Sequence, residues 1–140
     1  MKIEKIDHIC FVVKNLEMTK KVYKNDLGLD PAVEYIAPSE KIKVARYYIG
    51  EVAVELMEPT ESDSEVARFI EKKGEGVFLI SYKVDDLPAA LKELKDKDVK
   101  LIDNEPRELF GTRYAFIHHP NKLMGVLTEL LDGDFDINKQ

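Results

Sequence analysis

The sequence predicts an α+β protein made of two copies of one strand–helix–strand–strand–strand unit. The first sign is a register repeat. A shift of 71 residues lays Ile9 on Ile80, Phe11 on Tyr82, Val13 on Val84 and Leu16 on Leu87. A shift of 74 then lays VAVELME at 52–58 on VLTELLD at 126–132, the register changing because the last hairpin, HHPNKLMG, is longer than its counterpart. The second sign is the alternation of short period-2 apolar runs with single 3.6-period stripes. The third is size: at 140 residues and 44% hydrophobic the chain suits one domain with a core, whereas either half alone is too small to cover a sheet face, so the halves should pack together. The expected layout is one domain over 1–140, with module one at 1–60, a linker helix at 61–75, module two at 76–131 and a polar tail at 132–140 that frays.

Residues 5–13 are rich in β-formers and read as a strand with His8, Cys10 and Val12 on one face and Phe11 and Val13 on the other. Asn15 is a good N-cap, Leu16, Met18, Val22, Tyr23 and Leu27 form a helical stripe, and Gly28 stands where a helix should stop. Strands follow at 32–37, 43–49 and 52–57, the last two joined by a tight turn at Gly50-Glu51. A polar linker leads to a short helix over 66–73, which Gly74 ends; Ser62 with Glu65 makes a capping-box pattern and Ser64 competes as the cap. In the second half, 77–84 is a strand, Asp86 caps a helix with Pro88 in its first turn, and strands are expected at 99–102, 113–117 and 125–131.

Composition excludes several classes. A net charge of −6 argues against a nucleic-acid partner, and no apolar run approaches the roughly 20 residues of a membrane span. The apolar stretch near the start carries Asp7 and His8, so no secretory signal is expected. The single cysteine, Cys10, makes no internal disulfide, which points to the cytoplasm. None of the patterns GxGxxG, GxxxxGK[ST], GxSxG or HExxH occurs.

Three polar residues break apolar faces. Glu55 shares a face with Ala53 and Met57, Glu129 shares one with Leu127 and Leu131, and His8 sits on a mixed face. A glutamate in a short strand is commonly solvent-facing. The repeat argues otherwise, because it makes Glu55 equivalent to Glu129, and His8 to Leu79. A quasi-two-fold fold would bring these four positions toward one centre, and a buried carboxylate there needs a partner or a metal. Cys10 reads as a small buried apolar residue. His118 and His119, beside Pro120, read as loop groups. Arg46, Lys43 and Arg113, with Lys41 and Arg107, are cations available to an anionic ligand, against the default of a solvated strand face.

The stretches IDHICFVVKNLEMTKKVYKNDLGL, VAVELMEP, SEVARFIEKKGEGVFLISYKVDDLPAALKELKDKDVKLIDNEP and FIHHPNKLMGVLTEL together resemble the vicinal oxygen chelate (glyoxalase/bleomycin resistance/dioxygenase) superfamily, and within it the methylmalonyl-CoA epimerase branch. The resemblance implies two βαβββ modules related by a pseudo-two-fold, paired into a half-open, cup-shaped mixed sheet. It also implies a divalent metal ion (Co, Mn, Mg, Ni or Zn). His8, Glu55 and Glu129 match ligand positions; the remaining one is occupied by Leu79, next to Phe78, where the family carries histidine. Three readings follow. The metal binds through His8, Glu55 and Glu129 with water, an oxygen-rich set; or it is absent and the cup is reused, with Leu79 and Phe78 as an apolar wall; or another residue such as His119 substitutes. The implied activity is epimerisation by proton abstraction next to the carbonyl of an acyl-CoA thioester, with Glu129 and Glu55 as the carboxylates and a metal-stabilised enolate. Arg46, Lys43 and Arg113 would receive the coenzyme's phosphates, and the chain would be a homodimer. The alternatives are a glyoxalase I-like lyase or isomerase acting on a thiol adduct, and a metal-free small-molecule binding protein of the bleomycin-resistance type.

Overall fold

The computed structural model describes residues 1–118 and 125–139, so His119 lies outside the described residues. The elements run β1 (Ile3–Val12), α1 (Leu16–Leu27), β2 (Val33–Ala37), β3 (Ile42–Ile49), β4 (Val52–Pro59), α2 (Glu65–Lys73), β5 (Gly76–Val84), α3 (Leu87–Asp96), β6 (Arg107–Leu109), β7 (Thr112–His118) and β8 (Leu127–Gly133). This is the mixed α+β class and the twice-repeated βαβββ order that the register match predicted. Among the described residues no helix is long and apolar enough to cross a membrane.

The chain divides into two compact units. In the unit His8–Phe78 the strands lie in the order β2-β3-β4-β1. β1 runs parallel to β4, with Cys10 opposite Glu55, and β3 runs antiparallel to it, with Arg46 opposite Glu55. The alternation of each strand decides what goes where. Phe11, Val13, Ala45, Tyr47, Val54 and Leu56 form one face and pack with Leu16, Tyr23 and Leu29. The opposite face presents His8, Cys10, Arg46 and Glu55. Asn15 caps α1 by accepting from the Met18 amide, and Gly28 ends the helix at φ 69°, a left-handed conformation that glycine adopts without a Cβ penalty.

The other unit joins Met1–Asp7 to Leu79–Gln140, with strands in the order β1-β5-β8-β7-β6. β5 runs parallel to β8 with Ser81 opposite Glu129, so the Cys10–Glu55 register of the first half recurs. Its helix α3 buries Leu87, Ala90, Leu91 and Leu94 against Val84, Ala115, Ile117 and Leu130. Each buried Leu, Ile or Val of this cluster contributes roughly 1.5–3 kcal/mol.

Three local expectations are corrected. Residues 99–102 form no strand; Val99 and Leu101 pack on the α3 cluster as connecting chain, and the second-strand role falls to β6, residues 107–109. The cap of α2 is Ser64, whose hydroxyl accepts from the Ala67 amide, rather than Ser62. The tail expected to fray from 132 is tied down in part: β8 runs to Gly133 and contacts hold residues 134–136. The Asp136 amide donates to the Phe110 carbonyl at 2.7 Å, Phe135 packs edge-on against Phe110, and Asp134 pairs with Lys83 at 2.7 Å.

Candidate functional site

Glu55 organises the polar face of the unit His8–Phe78. Its side chain is 5% exposed, and each oxygen has its own set of neighbours. Oε2 accepts from the Tyr35 hydroxyl at 2.7 Å and from Arg46 Nη1 at 3.0 Å. Oε1 accepts from Cys10 Sγ at 3.3 Å and stands 3.7 Å from His8 Nε2. β1 supplies His8 and Cys10, two apart and so on one face; β2, β3 and β4 supply Tyr35, Arg46 and Glu55. Burial pushes the Glu55 carboxyl up, but the charges of His8 and Arg46 and the hydrogen bonds from Tyr35 and Arg46 outweigh it and hold the group below its ordinary value. Burial and the neighbouring Glu55 charge push the Tyr35 phenol well up, so it stays a donor. Arg46 is 4% exposed; its Nε donates to the Tyr48 hydroxyl at 3.2 Å and its guanidinium lies 5.2 Å from the Tyr48 ring centroid.

In the other unit Glu129 is buried, and its Oε1 accepts from Ser81 Oγ at 2.7 Å. Ser81 stands where Cys10 stands in the first half, so each half sets a small hydrogen-bond donor on its first strand against the glutamate of its last. The halves differ across the hairpin: Arg46 faces Glu55, whereas Phe116 faces Glu129. Leu79 is buried, opposite Leu127. Phe78 is half-buried, edge-on to Phe69 of α2 at 5.1 Å.

The three cations expected to meet an anionic ligand are committed to carboxylates. Arg46 holds Glu55. Lys43 pairs with Glu58 across β3–β4 at 3.0 Å, and Arg113 pairs with Asp132 across β7–β8, Nε to Oδ1 at 2.8 Å. Glu58 and Asp132 are equivalent in the repeat and do equivalent work. Glu58 Oε1 accepts from the Leu16 amide at 2.8 Å at the start of α1, and Asp132 Oδ2 accepts from the Leu87 amide at 2.7 Å at the start of α3. Sequence reasoning missed Cys10, Tyr35 and Ser81 as partners of the glutamates. The signal for the first and last was the shift of 71 combined with the period of two.

The residues of the first unit fit a divalent cation. A ligand atom from each of His8, Cys10 and Glu55 lies within 4.8 Å of the others, all three residues are buried, and the donor set is one nitrogen, one sulfur and one oxygen.

A fold of repeated βαβββ order, with a buried acid in the same register of each half, is the frame of one family, and the chain belongs to it. The model of the Glyoxalase/Bleomycin resistance protein/Dioxygenase superfamily matches residues 7–116. Within it the chain is 37% identical to the uncharacterized protein YqjC of Bacillus subtilis over 93% of both chains. It is 30% identical to the mitochondrial methylmalonyl-CoA epimerase of Homo sapiens, over 90% of this chain and 72% of that one. Among solved structures it is similar to a single-substitution variant of Streptomyces coelicolor methylmalonyl-CoA epimerase in complex with 2-nitronate-propionyl-CoA, with a TM-score of 0.86, 31% identity and coverage of 94% and 96%.

Proposed function

We propose that this chain is an epimerase of a 2-substituted malonyl-type thioester, acting by removal and return of the α-proton. The observation that carries the reading is the buried carboxylate set at the same register of each half, Glu55 beside Cys10 and Glu129 beside Ser81. Two-faced proton exchange needs groups of this kind, and relatives that match nine-tenths of the chain are epimerases of methylmalonyl-CoA. The environments divide the roles. Glu55 is held below its ordinary value, with both oxygens engaged, so it is a poor proton acceptor and a good anionic anchor. Glu129, fixed by Ser81, takes the role of base. A divalent ion held by His8 and Glu55 would supply Lewis-acid stabilisation of the enolate oxygen. The substrate is an acyl-CoA thioester.

The test is deuterium wash-in at the α-carbon, followed by NMR in D₂O. Wild type should exchange the proton, and Glu129→Gln, which keeps the shape and removes the basicity, should lose about 10²-fold or more in rate. No exchange by wild type over a panel of acyl thioesters, with Co²⁺, Mn²⁺, Mg²⁺, Ni²⁺ or Zn²⁺ present, overturns the reading.

A further inference from the structure

We propose that Cys10 binds the metal ion as a thiolate, giving this chain a His8–Cys10–Glu55 centre that prefers zinc-like ions to magnesium or manganese. The inference rests on the epimerase reading only for the presence of an ion; the ligand itself is assigned by geometry. Ligands about 2.0–2.3 Å from a tetrahedral ion stand roughly 3.3–3.8 Å from one another. Cys10 Sγ lies 3.3 Å and His8 Nε2 3.7 Å from the same oxygen, Glu55 Oε1. Both contacts to Glu55 thus have the spacing of a coordination sphere, and the His8 and Cys10 ligand atoms lie within 4.8 Å of each other, in a single unit of the fold.

The surroundings support the same assignment. Oε2 of Glu55 is held by Tyr35 and Arg46, which leaves Oε1 facing His8 and Cys10 and fixes its direction, as outer hydrogen bonds do around metal centres. Arg46 also balances part of the negative charge that a carboxylate and a thiolate bring together. Cys10 is 3% exposed, so its contact with Glu55 is not diluted by water. The balance of the step is simple: the ion takes the place of the thiol hydrogen against Oε1, a metal–sulfur bond forms, and the proton leaves to solvent. Leu79, at the position that the repeat pairs with His8, offers no donor at all. The sulfur gives the first half the third protein ligand that a tetrahedral ion needs, and a soft one, which selects Zn²⁺, Co²⁺ or Fe²⁺ over Mg²⁺ and Mn²⁺.

Cobalt reports the ligand directly. Wild type loaded with Co²⁺ should show the near-ultraviolet thiolate-to-cobalt charge-transfer band. Cys10→Ser should lose the band and bind Co²⁺ more than tenfold more weakly, since even outer-shell partners carry about 10–100-fold. Should Cys10→Ser fail to fold, X-ray absorption of zinc-loaded wild type decides, by a sulfur shell at about 2.3 Å. Zn²⁺ should also displace Mn²⁺ without being displaced by an excess of Mg²⁺. Cobalt bound without the band, zinc without a sulfur shell, or no binding at all overturns the proposal. Because these readouts need no turnover, deuterium exchange that persists in their absence leaves the epimerase reading standing and removes only the thiolate.

Discussion

At the scale of single residues the decisive group is Arg46. An arginine side chain 5% exposed and 3.0 Å from an equally buried carboxylate is worth little compared with an apolar pair of the same shape, but breaking it leaves an uncompensated charge. Arg46→Met should therefore destabilise the fold by about 3–5 kcal/mol, read from the urea midpoint at unchanged slope. Tyr35→Phe removes one hydrogen bond to the same charged oxygen and should cost about 1.5–3 kcal/mol. A Tyr35→Phe effect as large as that of Arg46→Met would show that the phenol, not the guanidinium, holds Glu55. Part of this was legible beforehand. Glu55 interrupts an apolar face and so demands a partner, and the two-residue turn at 50–51 pairs Ile49 with Val52, which puts Arg46 opposite Glu55. Tyr35 was not legible, because the longer β2–β3 connection fixes no register that can be counted from the sequence.

At the scale of elements, the starts of α1 and α3 show how the repeat works. Each helix has a side-chain cap, Asn15 or Asp86, and each has its first amide held by an acid from the last strand of its half, Glu58 or Asp132. A cation opposite that acid, Lys43 or Arg113, completes the arrangement. The arrangement ties helix to strand and also satisfies a donor that a helix terminus otherwise leaves open. Asp86→Ala should cost about 1 kcal/mol, the usual value of a cap. Asp132→Ala removes the acceptor of the Leu87 amide and should cost about 1–3 kcal/mol, with faster hydrogen exchange at Ala89 and Ala90 than in α1. Equal exchange in the two helices would show that Asp132 does not anchor α3. The caps were readable because they are local: one side chain and an amide three residues on. The acids were not, since they act across 42 and 45 residues of sequence. For the same reason the strand expected at 99–102 failed. A β-rich composition marks chain that can pair, but Val99 and Leu101 are used in packing, while a three-residue strand such as β6 is too short to show a period.

At the scale of the molecule, the two units share one plan and carry their buried acids differently, and this sets how the whole responds to acid. Glu55 in one unit and Asp132 in the other are both held below their ordinary values. Burial pushes each up; the His8 and Arg46 charges override it at Glu55, and the Arg113 pair with the Leu87 amide overrides it at Asp132. A carboxyl whose folded value lies below its unfolded value of about 4 leaves the unfolded chain holding more protons near that pH. Its stabilisation is complete above the unfolded value and is lost as pH falls toward the folded one. Stability should thus be flat from neutral pH down to about 5, then fall steeply below about pH 4. Glu55→Gln combined with Asp132→Asn should be less stable than wild type at pH 7 and should approach it on acidification, because the variant has already lost what wild type loses there. The two sites lie in separate units, so the single variants should add to give the double. Urea unfolding at a series of pH values measures all of this. A double variant that declines below pH 4 as steeply as wild type would move the acid response away from these two carboxyls, to surface pairs such as Lys83–Asp134 and Lys41–Asp63.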